Sequence, residues 1–191
     1  MATRLFAEGG FHKVKLADIA NEVGITQAGL LHHFPSKRTL LMAMLEKRDE
    51  TYLKSQHKLL ATGRPYLEIF IESLLENEKT PKLVQLFAIL SAESLVEEHP
   101  AHDWFETRYC RIVTFAEQEL GKMIDPAKLP DAMTIEDLAR CTIGLADGLR
   151  LQWLRNPEQV SRVKIMQHFK TMLNPYLRDE VVEVQVALQV D

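Results

Sequence analysis

The chain has 191 residues, 46% of them hydrophobic and 26% charged, with a formal net charge of −4. That is enough apolar material for a real core in one large or two small domains. No apolar run reaches the length of a membrane span and the N-terminus lacks a signal-peptide pattern, so neither a membrane nor a secreted protein is expected. Cys110 and Cys141 belong to no metal or redox spacing and are expected as buried thiols in a reducing cytoplasm. Charge is unevenly spread. Residues 1–58 carry nine Lys/Arg against six Asp/Glu, whereas residues 59–191 carry fourteen against twenty-one. A modestly basic head on an acidic body fits a nucleic-acid reader with a separate sensing domain.

Helix formers are abundant and β-branched alternation is almost absent before the last dozen residues, so an all-α chain is predicted. In chain order the helices fall at about 2–8, 16–23, 27–33, 37–61, 65–78, 81–98, 101–123, 134–155 and 158–177. In the second, Leu16, Ile19, Ala20 and Val23 follow the i, i+3, i+4, i+7 spacing of an apolar helix face. Gly24 stands where a left-handed C-cap is needed, and Thr26 offers a hydroxyl to the N–H groups opening the next helix. On that helix Leu30 and Phe34 point inward while Ala28, Leu31 and His32 point outward. Two short helices about a glycine turn are the helix-turn-helix layout, whose second helix enters the DNA major groove. Gln27 and Ala28 open that helix: glutamine can bond adenine through two atoms, and alanine can meet a thymine methyl. Ser36 is a plausible N-cap for the fourth helix, and Lys37 beside it suits a phosphate contact.

The segment LFAEGGFHKVKLADIANEVGITQAGLLHHFPSK closely resembles the N-terminal domain of the TetR family of bacterial transcriptional regulators. The likeness rests on Leu5-Phe6-Ala7-Glu8, Gly10-Phe11, Asp18-Ile19-Ala20, Gly24-Ile25-Thr26, Gly29-Leu30 and His33-Phe34-Pro35-Ser36-Lys37. It implies DNA contacts at Thr26, Gln27, Ala28, Leu31, His32 and Lys37. Three departures stand out. Leu31 replaces the family's usual tyrosine. Lys15 replaces a Ser or Thr cap, which removes a hydroxyl but leaves a cation suited to phosphate. Met1 falls within the family's first helix, which is therefore expected to be shortened.

The later helices are punctuated by Gly63-Arg64-Pro65, Thr80-Pro81, His99-Pro100 and Asn156-Pro157, and IDPAKLPDAM at 124–133 reads as a loop. Helix 81–98 carries Leu83, Phe87, Leu90 and Ser94 along one stripe. Helix 101–123 sets Arg108 among Trp104, Phe105, Ile112 and Phe115. Helix 134–155 sets Asp147 among Ile143, Leu151 and Leu154. Polar groups interrupting apolar stripes are costly unless paired, and ligand pockets are built of such stripes. Either Arg108 pairs internally with Asp147 or Glu97, or it meets a ligand. The resemblance favours an effector pocket from Phe87, Leu90, Ser94, Trp104, Phe105, Arg108, Tyr109 and Asp147.

Helix 134–155 has a second apolar face of Leu138, Leu145, Ala146, Leu149 and Trp153, and 158–177 presents Ile165, Met166, Phe169, Met172 and Leu173. By resemblance these two helices form a dimer interface through Gly144, Gly148, Trp153, Met166, Phe169 and Leu173. The alternative is an intramolecular core. His99 and His102, three apart and beside Asp103, are possible ligands, but no third one is fixed by spacing, so no metal is expected. No catalytic motif and no cofactor site is found. The tail, with Val184, Val186, Leu188 and Val190 alternating, is strand-like.

The expected organisation is a DNA-binding domain at 1–46, an effector-binding and dimerisation domain at 47–177, and a tail at 178–191. The partners implied are a double-stranded operator, a small-molecule effector and a second copy of the chain in a cytoplasmic homodimeric repressor. The competing reading is an all-α small-molecule-binding or enzymatic protein that has lost DNA binding.

Overall fold

The computed structural model describes residues 2–179 and residue 181. Among these the chain forms nine α-helices: α1 Ala2–Lys13, α2 Leu16–Val23, α3 Gln27–His33, α4 Lys37–Leu60, α5 Tyr66–Glu78, α6 Pro81–Glu93, α7 His102–Met123, α8 Ile135–Arg155 and α9 Arg162–Met172. Short 3-10 turns follow at Pro126–Lys128 and Asn174–Tyr176. The alternating Val184, Val186, Leu188 and Val190 lie outside the described residues. The chain divides into two compact units, Met1–Thr62 with Glu76–Arg108 and Gly63–Leu75 with Tyr109–Asp191. This division differs from a boundary at residue 46, because α6 packs closely on α1.

In the first unit Phe6, Ile19, Leu41 and Leu45 are fully buried and form the core of the N-terminal helices. Helix α1 breaks at Gly10, whose φ of 67° and ψ of −177° are open essentially to glycine alone. Beyond the break the chain carries Phe11 to Lys13, so the element outruns the predicted 2–8. Gly24 caps α2 in the left-handed region, its N–H donating to Ala20 and Asn21 carbonyls. Thr26 Oγ1 accepts the Gly29 N–H at 3.0 Å, and Ser36 and Thr39 close a reciprocal capping box at α4. Helix α6 ends at Glu93, short of the predicted 98. Leu95 and Val96 there are 82% and 58% exposed and bury nothing, the backbone tightens into i−3 bonds, and Pro100 disfavours helix before it.

In the second unit Leu67, Ile69, Leu120, Ile124, Leu138 and Met166 are fully buried. Thr134 and Asp137 cap α8 reciprocally, and the Thr134 hydroxyl and N–H hold the Asp137 carboxyl below its ordinary range. Helix α9 starts at Arg162, later than the predicted 158, because Ser161 Oγ accepts the Lys164 N–H at 3.2 Å and fixes the cap there. Pro175, lacking an N–H, turns the end into a 3-10 turn before an isolated bridge pairs Leu177 with Ile124. Cys110 and Cys141 are free and exposed rather than buried. Cys141 shares its outward register with Gly144 and Gly148 at i+3 and i+7.

Candidate nucleic-acid interface and effector site

Helix α3 presents one exposed edge. Thr26, Gln27, Ala28 and His32 are exposed, Leu31 is half-buried, and Leu30 is buried beneath them. The His32 and His33 rings meet edge-on at 5.4 Å. Val23 does not complete the buried face of α2: it is 45% exposed at the helix end and, with Ile25, borders this edge. Lys15 sits at the N-cap of α2 in extended backbone and makes no side-chain capping bond, so its ammonium projects from the surface.

Lys37 departs from the role assigned to it. Its Nζ donates to the Val14 carbonyl at 2.9 Å and the His12 carbonyl at 3.4 Å, and lies 4.4 Å from the centroid of the Phe11 ring. The ammonium therefore holds the α1–α2 reversal, through carbonyls that have no helical donor. Arg38, the next residue and exposed, is a cation that the first turn of α4 offers outward. It was missed because neighbouring basic residues are indistinguishable until the helix register is known.

The expected effector residues are differently employed. Phe87, Trp104 and Phe105 cluster, with ring centroids 4.9 to 6.2 Å apart. The Arg108 guanidinium lies 5.5 Å from Phe87 and 5.9 Å from Trp104, and its Nε donates to Asp49 Oδ1 at 3.1 Å. The anion facing Arg108 is thus Asp49 of α4, and neither Asp147 nor Glu97. A signal was available: Leu41, Leu45 and Asp49 recur every four residues, placing a carboxylate on the buried stripe of α4. Leu90 is fully buried and Ser94 nearly so, its hydroxyl donating to the Ser91 carbonyl, so both belong to the core. Tyr109 and Asp147 belong to the second unit, where the tyrosine hydroxyl donates to Asp147 Oδ2 at 2.6 Å and Arg150 lies 3.3 Å from Oδ1. Phe87 also lines a cavity of about 450 Å³ in the first unit.

The dimer residues separate into two sets. Trp153, Met166 and Leu173 are buried within the single chain, Arg162 stacking on Trp153 at 5.3 Å, so they offer no surface to a partner. Gly144 is exposed and Gly148 half-buried, and a Cβ at either would meet nothing within 4 Å. Leu151 and Met172, 51% and 70% exposed, and half-buried Phe169 are among the apolar residues available on α8 and α9. His99 turns away from His102 and packs on Phe11, while His102, Asp103 and Glu106 bring ligand-type atoms within 4.8 Å of one another.

Residues 1–44 match the model of the tetR family of bacterial regulatory proteins. The match covers α1, α2, α3 and the start of α4, so it is this N-terminal segment that is similar to the tetR-family DNA-binding domain. The helix-turn-helix transcriptional regulator SrpR of Pseudomonas putida is 24% identical over 168 residues, 85% of this chain and 76% of SrpR. The nucleoid occlusion factor SlmA of Actinobacillus pleuropneumoniae is 23% identical over 80% of this chain and 76% of its own length. A TetR-family transcriptional regulator from Agrobacterium tumefaciens has the same fold, with a TM-score of 0.72 over 93% of this chain and 94% of that one at 18% identity. No described helix is long and apolar enough to cross a membrane. Within the matched segment the glycine turn and the Thr26 cap stand as the motif requires, whereas the missing hydroxyl at Lys15 leaves α2 without a side-chain cap.

Proposed function

We propose that this chain is a ligand-responsive transcriptional regulator that binds a palindromic operator as a homodimer in the cytoplasm. One observation carries the reading: α3, capped by Thr26, presents Gln27, Ala28 and His32 outward within the segment that matches the family. Gln27 pairs with an adenine edge, Ala28 packs on a thymine methyl, and His32 reaches a base or phosphate one turn further on. Thr26 and Leu31 flank them against the backbone, and Lys15 and Arg38 neutralise phosphates. The open residues Gly144, Gly148 and Leu151 of α8, with Phe169 and Met172 of α9, pair with their copies, so that two heads meet successive major grooves. A small molecule held by the helices beyond the head changes the head's disposition and releases DNA.

The test is a gel shift with DNA flanking the chain's own gene, run beside sedimentation of the same protein. A saturable shift by a dimer that survives excess random DNA is expected. A folded dimer with no preference for any flanking fragment refutes operator binding.

A further inference from the structure

We infer that the cavity of the first unit is a binding site for an amphiphilic anion, a carboxylate carried on an apolar chain. Its volume, about 450 Å³, lies within the range of small-molecule sites. The apolar wall comes from Phe34, Met44, Leu86 and Phe87, and the cations beside it are Lys47 and Arg48. Phe34, Met44 and Phe87 are only half-buried, an uncovered apolar surface within the unit.

Charge selects the occupant. The Arg48 guanidinium is half-buried and donates to the side-chain carbonyl of Asn77, a neutral partner. Burial pushes its pKa down and the charge of Arg108 adds to that, with Tyr52 and the Asp49 carboxylate opposing the shift. Asp49, the carboxylate on the same stretch, is engaged by Arg108. At the rim the exposed Lys47 shares Glu50 with Lys54, the latter pair being the closer at 2.5 Å against 3.4 Å. The cavity therefore has a surplus of positive charge at one end and apolar walls elsewhere. A partly desolvated cation without a full counter-charge favours an anion and disfavours a cationic or neutral guest.

The site also touches the DNA-reading element. Phe34 directly follows α3 and closes it, its N–H donating to the Leu30 carbonyl. An occupant lying against Phe34 on one side and Leu86 and Phe87 of α6 on the other bears on the recognition helix without an intermediary. This coupling rests on the reading of the chain as a ligand-responsive regulator; the binding site itself does not.

Calorimetry on the full chain with decanoate, decanol and decyltrimethylammonium, below their micellar concentrations, tests it. Decanoate is expected to bind about tenfold more tightly than decanol, the equivalent of one charge-assisted hydrogen bond, and the ammonium amphiphile not to bind. Arg48→Gln should bring decanoate down to the affinity of decanol, and Ala43→Phe, which fills the cavity from α4, should abolish both. Should Arg48→Gln fail to fold, Lys47→Gln and Ala43→Phe carry the same test. Equal binding of all three amphiphiles, or unchanged decanoate binding in a folded Arg48→Gln or Ala43→Phe variant, overturns the site. Operator gel shifts with and without decanoate separate the two readings. Binding without any change in DNA affinity leaves the site standing and refutes ligand responsiveness, whereas intact operator binding without decanoate binding refutes the site alone.

Discussion

Gly10→Ala is the sharpest perturbation the structure offers. At φ 67° and ψ −177° the backbone lies in a region essentially reserved for glycine, so any side chain there costs about 1–3 kcal/mol. The added Cβ would also stand 1.9 Å from Glu93 Oε1 and 2.8 Å from its Cδ, so the carboxylate must leave. Glu93 Oε2 accepts the Phe11 N–H at 2.8 Å, a charge-assisted bond worth about 1.5–3 kcal/mol. The Glu93 side chain is 28% exposed and can swing into water, so its own desolvation adds nothing. Together the two effects give about 2.5–6 kcal/mol, a large share of a typical domain's stability. Urea unfolding of wild type, Gly10→Ala, Glu93→Ala and the double variant measures them separately. In the Glu93→Ala background the glycine substitution should cost only the backbone strain, leaving a coupling of about 1.5–3 kcal/mol. Strict additivity, or a Gly10→Ala cost below about 1 kcal/mol, would show that Glu93 and Gly10 are not fitted to each other.

Gln27→Ala should relax preference at one base position by about 1–3 kcal/mol with an unchanged salt slope, whereas Arg38→Ala should flatten that slope by about one unit at every sequence; competition gel shifts across salt concentrations read both. Lys37→Ala should lower the urea midpoint by about 1–2 kcal/mol of stability before any effect on DNA, since its ammonium serves two carbonyls and the Phe11 ring; a normal midpoint with a flattened salt slope would return it to the phosphates. Gly148→Arg should give folded monomers by sedimentation, because the single chain has open space at that Cβ; an intact dimer would move the interface off α8. Burial pushes the His99 pKa below its ordinary value, with the Glu93 carboxylate 3.6 Å away opposing the shift and the His12 ring adding to it. The unfolded chain then takes up a proton that the native state does not, so stability is full above about pH 6.5 and falls as pH drops toward the lower native pKa. His99→Gln should lose that dependence in unfolding between about pH 7.5 and about 5.5, and parallel pH curves for both proteins would assign the effect elsewhere.

The sequence discloses what local chemistry dictates. The spacing of Ile19 and Ala20, the glycine at 24 and the hydroxyls at 26 and 36 place α2, α3 and the start of α4 where the structure has them, because each acts within one helical turn. What stays hidden is the identity of distant partners. Arg108 demanded an anion, yet nothing local distinguished Asp49, 59 residues away, from Asp147. Apolar periodicity on α8 and α9 marks burial but not which chain does the burying. Trp153 and Met166 therefore read as interface residues although they are buried within the single chain. The small residues Gly144 and Gly148, with exposed Leu151, were the better pointer to an outward face.

The contacts around Phe11 explain why the first unit takes in residues 76–108 as well as the N-terminal helices. Where α1 ends, the chain reverses toward α2 and leaves backbone groups without helical partners. The Phe11 N–H is met by an anion from α6, Glu93, and the His12 and Val14 carbonyls are met by a cation from α4, Lys37. The Phe11 ring meets both that cation, 4.4 Å from its centroid, and the ring of the buried His99, edge-on at 5.4 Å. Each sign of charge thus stands opposite the backbone group it complements, and both come from helices outside the α2–α3 motif. The motif is consequently set by α4 and α6 as much as by its own turn. A change at Glu93 or Lys37 should therefore alter DNA affinity through the placement of α3, without either side chain approaching a base.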